Sequence, residues 1–164
     1  MADTEADYIE ELVGASFLIL QAKIRRVAEA SERLVAFMSE QYAMEIKGLD
    51  RQSVFKLGGI YRKTGHSRIA LIWAVANYYK HRDEWEAEVW QVPPTQGRDP
   101  HRQSRGTRET VEKLGVTQFS TGNMRKAYEF FRIKPYSKCE KLAEKVQDWS
   151  EKIYRRAVRE CHRA

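Results

Sequence analysis

Apolar residues recur at helical spacing along most of the chain, and this pattern predicts helices. The first such stretch, residues 3–46, is interpreted as one long helix or two joined by a bend, with Asp3 or Thr4 as its N-cap. Because the stripe is widest at residues 17–20, we expect it to be covered from more than one side, by a bundle or by a partner subunit. Its predicted buried positions are Tyr8, Leu12, Ala15, Ile19, Ala22, Val27, Leu34, Phe37, Met38, Tyr42 and Ile46.

The second apolar stretch is predicted to be the central helix, capped by Ser67 and running to about Trp90. It begins as an apolar run and ends at residues 77–85, NYYKHRDEW, where charged and aromatic side chains are crowded together. A short helix is expected before it, at residues 53–57. A loop rich in proline, glycine and arginine is expected after it, at residues 93–106.

Three further helices are predicted in the second half of the chain. One covers residues 107–114, and one begins at Ser120 or Asn123 and runs to about residue 132. The last begins at a capping box at residues 137–140 and continues to the C-terminus. Because only residues 116–119 resemble a strand, the predicted class is all-α, a bundle of four to five helices. The predicted buried side chains of these helices are Met124, Ala127, Tyr128, Phe131, Leu142, Val146, Trp149, Ile153 and Ala157.

The length of 164 residues favours one domain, residues 1–164. A net charge of +6 is compatible with a polyanionic partner such as nucleic acid. The sequence has no phosphate-binding glycine loop, HExxH or CxxC motif, so we expect no metal and no cofactor. No apolar run is long enough for a membrane span, and the acidic start lacks the basic region of a signal peptide, so a cytoplasmic protein with no membrane partner is expected.

The candidate chemistry lies at the end of the predicted central helix. Asn77 and His81 are four residues apart and share a helical face, so an amide and an imidazole can act on one bound group. An imidazole suits acid–base chemistry near neutral pH. Nearby arginines are candidate contacts for the phosphates of a nucleic acid, although a solvated loop is the alternative for those in residues 93–106. These arginines are Arg82, Arg98, Arg102 and Arg105.

Asn77, Lys80 and His81 resemble the active helix of HEPN proteins, the helical prokaryotic and eukaryotic nucleotide-binding domains. The family motif pairs an arginine with a histidine, commonly with Asn directly after the arginine and Lys directly before the histidine. The resemblance implies an all-α homodimer, formed through the long first helix and the central helix, that cleaves RNA without metal. It also implies a toxin or antiviral-defence role, with the possibility of a neutralising partner protein. His81 would be the general acid or base. Asn77 would position the His81 ring or the phosphate, and Lys80 would offer positive charge to the phosphate.

The chain departs from this motif at the arginine position, which is occupied by Ala76. If no other cation replaces the arginine, the site does not cleave RNA. The competing hypothesis is therefore a non-catalytic interaction module that binds a partner protein or nucleic acid. A cluster of packing residues around Asn77 and His81 is the plain structural explanation of the same pattern. A small-molecule-binding bundle is a third alternative, supported by the aromatic content alone.

Overall fold

The computed structural model of the chain describes residues 2–85, 89–90, 101–118, 120, 122–131 and 140–162. Within these ranges there are six α-helices and no β-strand, which confirms the all-α prediction and raises the number of helices from the expected four or five. No helix in the same ranges is long and apolar enough to cross a membrane. The helices are α1 (Ala2–Tyr42), α2 (Arg51–Lys56), α3 (Arg68–His81), α4 (Arg102–Glu112), α5 (Asn123–Phe130) and α6 (Glu140–Cys161).

The chain divides into two compact units. The first unit consists of Met1–Ile19 and Leu71–Cys139, and the second consists of Leu20–Ala70 and Glu140–Ala164. Each unit therefore combines segments that are far apart in the sequence. The first unit contains all of the residues that were singled out for chemistry.

Helix α1 ends at Tyr42, before the predicted end at residue 46, because Ala43 takes a positive φ of 52° that an α-helix does not allow. The predicted buried stripe of this helix is largely wrong. The fully buried side chains lie on a neighbouring face, and a helix of this length with two apolar faces does not reveal by periodicity which one is packed. The buried positions are Val13, Phe17, Leu20, Ile24 and Ala28, whereas Tyr8, Leu12, Ile19, Phe37 and Tyr42 are exposed.

The second unit is built around the apolar face of α6. All five positions predicted for this face are buried, which confirms that stripe: Leu142, Val146, Trp149, Ile153 and Ala157. The Trp149 indole Nε1 donates a hydrogen bond to the backbone carbonyl of Val54 in α2, at 2.6 Å. Helix α2 itself begins at Arg51 because the side chain of Asp50 accepts a hydrogen bond from the amide of Ser53.

Helix α3 begins as predicted, since the Ser67 hydroxyl accepts a hydrogen bond from the amide of Ala70 at 3.1 Å. It ends at His81, well before the predicted end at Trp90. A 3-10 turn, Arg82–Glu84, follows, and Trp85 is extended. The turn leaves the direction of the helix, and the ring of Trp85 packs against Tyr78 with centroids 5.5 Å apart. The predicted length of this helix is therefore wrong.

The predicted loop of residues 93–106 is wrong at its C-terminal end, because α4 already begins at Arg102. Residues 91–100 lie outside the described part of the chain. The apolar residues of the following segment, Val111, Leu114 and Val116, are buried, although residues 116–118 do not form the predicted strand. A short stretch with β-branched residues, such as Val116 and Thr117, therefore does not make a strand without a neighbouring strand to pair with.

Helix α5 has Gly122 as its N-cap, not Ser120 or Asn123. Its first amides are satisfied from α1, because the Glu10 carboxylate accepts hydrogen bonds from the amides of Met124 and Arg125 at 2.8 and 3.1 Å. The predicted buried face is confirmed, with Met124, Ala127, Tyr128 and Phe131 all buried. The ring of Phe17 packs against two of these residues, at 6.4 Å from Tyr128 and 6.1 Å from Phe131. The capping box predicted for α6 at residues 137–140 lies largely outside the described residues.

Candidate functional site

A polar cavity of about 280 Å³ lies in the first unit, beside the last turn of α3 and the first turn of α4. It holds two histidines, an amide on each helix and two hydroxyl side chains, which is a composition suited to a polar or charged ligand. Within the described ranges no group of three His, Cys, Asp or Glu side chains could hold a metal ion. The cavity is lined by Asn77, His81, Glu84, Trp85, Val89, His101, Gln103, Ser104 and Thr107.

The structure brings two of the three predicted catalytic residues together in this cavity. Asn77 and His81 both line it, as expected for side chains four residues apart on one helix. Lys80 is exposed and is not among the lining residues. The cavity therefore offers the amide and the imidazole to a common ligand, while the ammonium lies outside its wall.

A carboxylate orients the His81 ring. The Nδ1 atom of His81 lies 2.8 Å from Oε2 of Glu84, within the 3-10 turn that follows α3. In the tautomer that carries its proton on Nδ1, the ring donates this hydrogen bond and its Nε2 atom has a free lone pair. A histidine held in this way can accept a proton at Nε2 while the carboxylate stabilises the imidazolium that forms.

The N-terminus of α4 forms the other side of the cavity, and sequence reasoning missed it. His101 is the N-cap residue of α4, and Gln103 and Ser104 lie in its first turn. The amides of a first helical turn have no acceptor within their own helix, and the helix dipole places partial positive charge there. This end of the cavity is therefore suited to an anionic group such as a phosphate. The start of α4 could have been recognised from charged residues at helical spacing within residues 102–112, such as Arg108 and Glu112. The basic composition of the segment favoured a loop instead.

The predicted nucleic-acid-binding arginines that the structure describes, Arg82, Arg102 and Arg105, do not line this cavity. Arg105 is only 6% exposed, because it lies on a buried position of α4 and not in a loop, and its role as a nucleic-acid contact stays a prediction. Arg102 is exposed in the first turn of α4, directly after His101. Arg98 lies outside the described residues.

Arg82 is engaged elsewhere in the first unit. Its guanidinium bonds to the carboxylate of Glu11 in α1 and lies over the ring of Tyr79, 4.8 Å from the centroid. It therefore follows His81 in sequence without entering the same cavity. Ala76, at the arginine position of the family motif, is fully buried among the core side chains of the first unit. An arginine at that position would have to displace packed apolar groups before it could reach a ligand.

Glu11, Tyr79 and Arg82 form a compact polar cluster. The hydrogen bond donated by the Tyr79 hydroxyl and the neighbouring Arg82 guanidinium lower the pKa of the Glu11 carboxyl. The same hydrogen bond to Glu11 raises the pKa of the Tyr79 hydroxyl. The ring of Tyr79 also covers Gly14, where a Cβ atom would lie only 2.1 Å from the ring. The cluster thus fastens the end of α3 to the first part of α1.

Glu11→Gln is expected to destabilise the protein at neutral pH by at most about 1 kcal/mol, since the carboxylate is 55% exposed and its charge interactions are screened. Because the folded pKa of Glu11 is lowered, its contribution is present above the unfolded value near 4.5 and is lost as the pH falls through the folded value. Urea unfolding should therefore show a larger difference between the two proteins at pH 7 than at pH 3. Glu5→Gln, an exposed carboxylate of the same helix, is the control, and an equal effect of both substitutions would contradict the assignment.

The cavity thus joins an oriented histidine, a second histidine and a helix N-terminus, all within the first unit. Such a constellation fits acid–base chemistry on an anionic substrate. Comparisons of the chain with protein-family models, with curated proteins and with solved structures find no match.

Proposed function

We propose that this chain is a HEPN-like protein that acts on RNA as a metal-independent endoribonuclease. The observation that carries the proposal is the presence of His81 and His101 in one cavity, with the His81 ring oriented by Glu84. Two imidazoles provide a proton acceptor and a proton donor for such a reaction. The match of Asn77, Lys80 and His81 to the HEPN motif supports the same class of substrate.

In the proposed reaction, Nε2 of His81 removes the proton from a ribose 2′-hydroxyl. The 2′-oxygen then attacks the adjacent phosphorus, and the bond from phosphorus to the 5′-oxygen breaks. The protonated ring of His101 gives its proton to that leaving oxygen. The products are a 2′,3′-cyclic phosphate and a free 5′-hydroxyl, and the proton balance is restored when His81 returns its proton to solvent and His101 regains one.

The charge that develops on the phosphoryl oxygens needs a stabilising group, and the motif arginine is replaced by Ala76. The amides in the first turn of α4 can take this role, because residues of this turn line the cavity and the first amides of a helix are donors at the positive end of its dipole. The side-chain amide of Asn77 provides a further donor to the phosphate. Exposed Lys80 and Arg102 would contact neighbouring phosphates of the same RNA.

The proposal is tested by incubating the purified protein with end-labelled single-stranded RNA in the presence of a chelator. We expect cleavage that persists in chelator and leaves 2′,3′-cyclic phosphate ends, detected by their resistance to direct ligation and to phosphatase. Cleavage that requires an added divalent metal would contradict the mechanism. Absence of cleavage, with or without metal, would remove the nuclease function.

A non-catalytic interaction module is the second candidate function, and the full burial of Ala76 favours it. In this candidate the motif cation is missing because the position belongs to the core, and the cavity binds RNA or a partner protein without reaction. The module would retain RNA binding, with strong dependence on salt, in a protein that never cleaves. Binding assays on the same RNA therefore separate the two candidates.

The proposal also includes a cytoplasmic homodimer of a toxin or antiviral-defence system, neutralised by a partner protein. The exposed apolar side chains of Tyr8, Leu12 and Ile19 on α1 support self-association, since such a row of large apolar groups is commonly covered by another protein surface. Their spacing places all three on one side of the helix. This is the part of α1 that belongs to the first unit.

A further inference from the structure

A second and larger cavity, of about 690 Å³, lies in the first unit and shares Trp85 with the histidine cavity. The described residues of its wall include three aromatic rings, four carboxylates and one guanidinium. The aromatic residues are Tyr78, Trp85 and Trp90, and the carboxylates belong to Asp7, Glu10, Glu11 and Asp83. The wall is mainly negative, whereas an RNA phosphate needs positive charge or hydrogen-bond donors. The proposed nuclease function therefore does not explain this cavity.

The three rings form a tight cluster. The centroid of Trp85 lies 5.5 Å from that of Tyr78 and 5.5 Å from that of Trp90, and all three rings meet edge to face. The Tyr78 hydroxyl already accepts a hydrogen bond from Nδ2 of Asn123 at 2.8 Å. The rings therefore contribute aromatic surface to the wall of the cavity, which suits a methylene chain and an adjacent cation.

Two of the four carboxylates are already used by the fold. Both oxygens of Glu10 accept amide hydrogens at the start of α5, and Glu11 is bonded to Tyr79 and Arg82. Asp7 has no hydrogen-bond or ion-pair partner within the described part of the chain, and Asp83 is 91% exposed with only a 3.7 Å contact to Nε of Arg82. Asp7 and Asp83 are thus the two carboxylates that remain for a ligand.

The guanidinium of Arg82 does not reverse the charge of this cavity. It is bonded to the carboxylate of Glu11 and stacked over Tyr79, so that pair is neutral as a unit. Among the described residues, no other lining cation compensates the charges of Asp7, Asp83 and Glu10. A cationic ligand would therefore gain from both the carboxylates and the aromatic faces.

We propose that this cavity binds a small aliphatic diammonium ion, a ligand with two ammonium groups joined by a methylene chain. The two ammonium groups pair with Asp7 and Asp83, and the methylene chain lies along Trp85 and Trp90. Two available carboxylates and the apolar ring surface of the same cavity match two cationic groups on a short methylene chain better than they match a single cationic group. The volume leaves room for such an extended ligand.

The test uses isothermal titration calorimetry of the full chain with 1,4-diaminobutane and with butylamine at equal ionic strength. Butylamine has the same chain with one ammonium group and resembles a lysine side chain. We expect the diamine to bind about fivefold more tightly or better, because the second ammonium adds a charge-assisted contact. Tryptophan fluorescence should change on binding, since Trp85 and Trp90 line the cavity.

Asp7→Asn and Asp83→Asn should each weaken diamine binding about three- to fivefold and reduce the preference over butylamine. Both side chains are exposed, so the substitutions should leave the fold intact, as circular dichroism would verify. Asp148→Asn removes an exposed carboxylate of the second unit and is the matched control. Absence of diamine binding, equal affinity for both amines, or an equal effect of the control substitution would each overturn the proposal.

Discussion

His81→Ala is expected to lower the rate of RNA cleavage in chelator by about 10²- to 10⁴-fold, the usual contribution of a general acid or base. The reason is that the ring, held at 2.8 Å from Glu84, is the oriented base of the cavity, and alanine leaves no group to remove the 2′-proton. The rate is measured under single-turnover conditions, so that loss of the chemical step is separated from loss of binding. Binding of the same RNA should change little, because an imidazole that moves a proton contributes little to ground-state affinity.

His66→Ala is the matched control, since His66 belongs to the second unit and is not among the residues that line the cavity. It should cleave at the unaltered rate. If the two rings act as base and acid, His101→Ala should lower the rate of RNA cleavage by a factor similar to that of His81→Ala. Equal cleavage by the His81→Ala and unaltered proteins would show that the activity lies elsewhere, and binding without cleavage by both would favour the non-catalytic module.

Trp149→Ala is expected to lower the free energy of unfolding by about 3–5 kcal/mol, the cost of emptying a large aromatic site in a packed core. Trp149 is the largest fully buried side chain of the protein's described part. Its ring packs edge to face against Phe55, and its Nε1 atom supplies the hydrogen bond to the Val54 carbonyl. The substitution removes apolar contacts and leaves that buried carbonyl without its donor.

Urea unfolding measures this loss, with Trp149→Phe as a graded comparison. Phenylalanine keeps an aromatic ring but lacks the Nε1 donor, so we expect a smaller loss, about 1–3 kcal/mol. Tyr154→Ala on the same helix is the control, because Tyr154 is exposed and its removal should change stability by less than about 0.5 kcal/mol. A loss below about 1 kcal/mol for Trp149→Ala would contradict the assigned core position.

The parts of the fold that follow from local spacing could be predicted from the sequence. The face of α6 is the best example, because its single apolar stripe, from Leu142 to Ala157, leaves one possible buried side. The start of α3 is another, since Ser67 caps it through a hydrogen bond to a residue three positions ahead. Asn77 and His81 share a cavity for the same local reason, their separation of four residues on one helix.

The remaining features depend on partners that are distant in the sequence. Helix α3 ends at His81. The next residue, Arg82, pairs with Glu11 of α1, which lies far away in the sequence. Glu10 caps α5 across 114 positions, so no local cap motif marks that helix. His101 joins His81 only because α4 begins at residue 102, within a segment whose composition is typical of a loop.

The contact between Gly14 and Tyr79 has an evolutionary consequence. Because a Cβ atom at residue 14 would overlap the Tyr79 ring, these two positions cannot vary independently without a shift of that ring. A homologue with alanine at the first position would be expected to carry a smaller side chain at the second, and its Glu11 would then lack the tyrosine hydroxyl as a partner. Covariation of residues 14 and 79 is therefore a signature by which distant homologues could be recognised where overall sequence similarity has been lost.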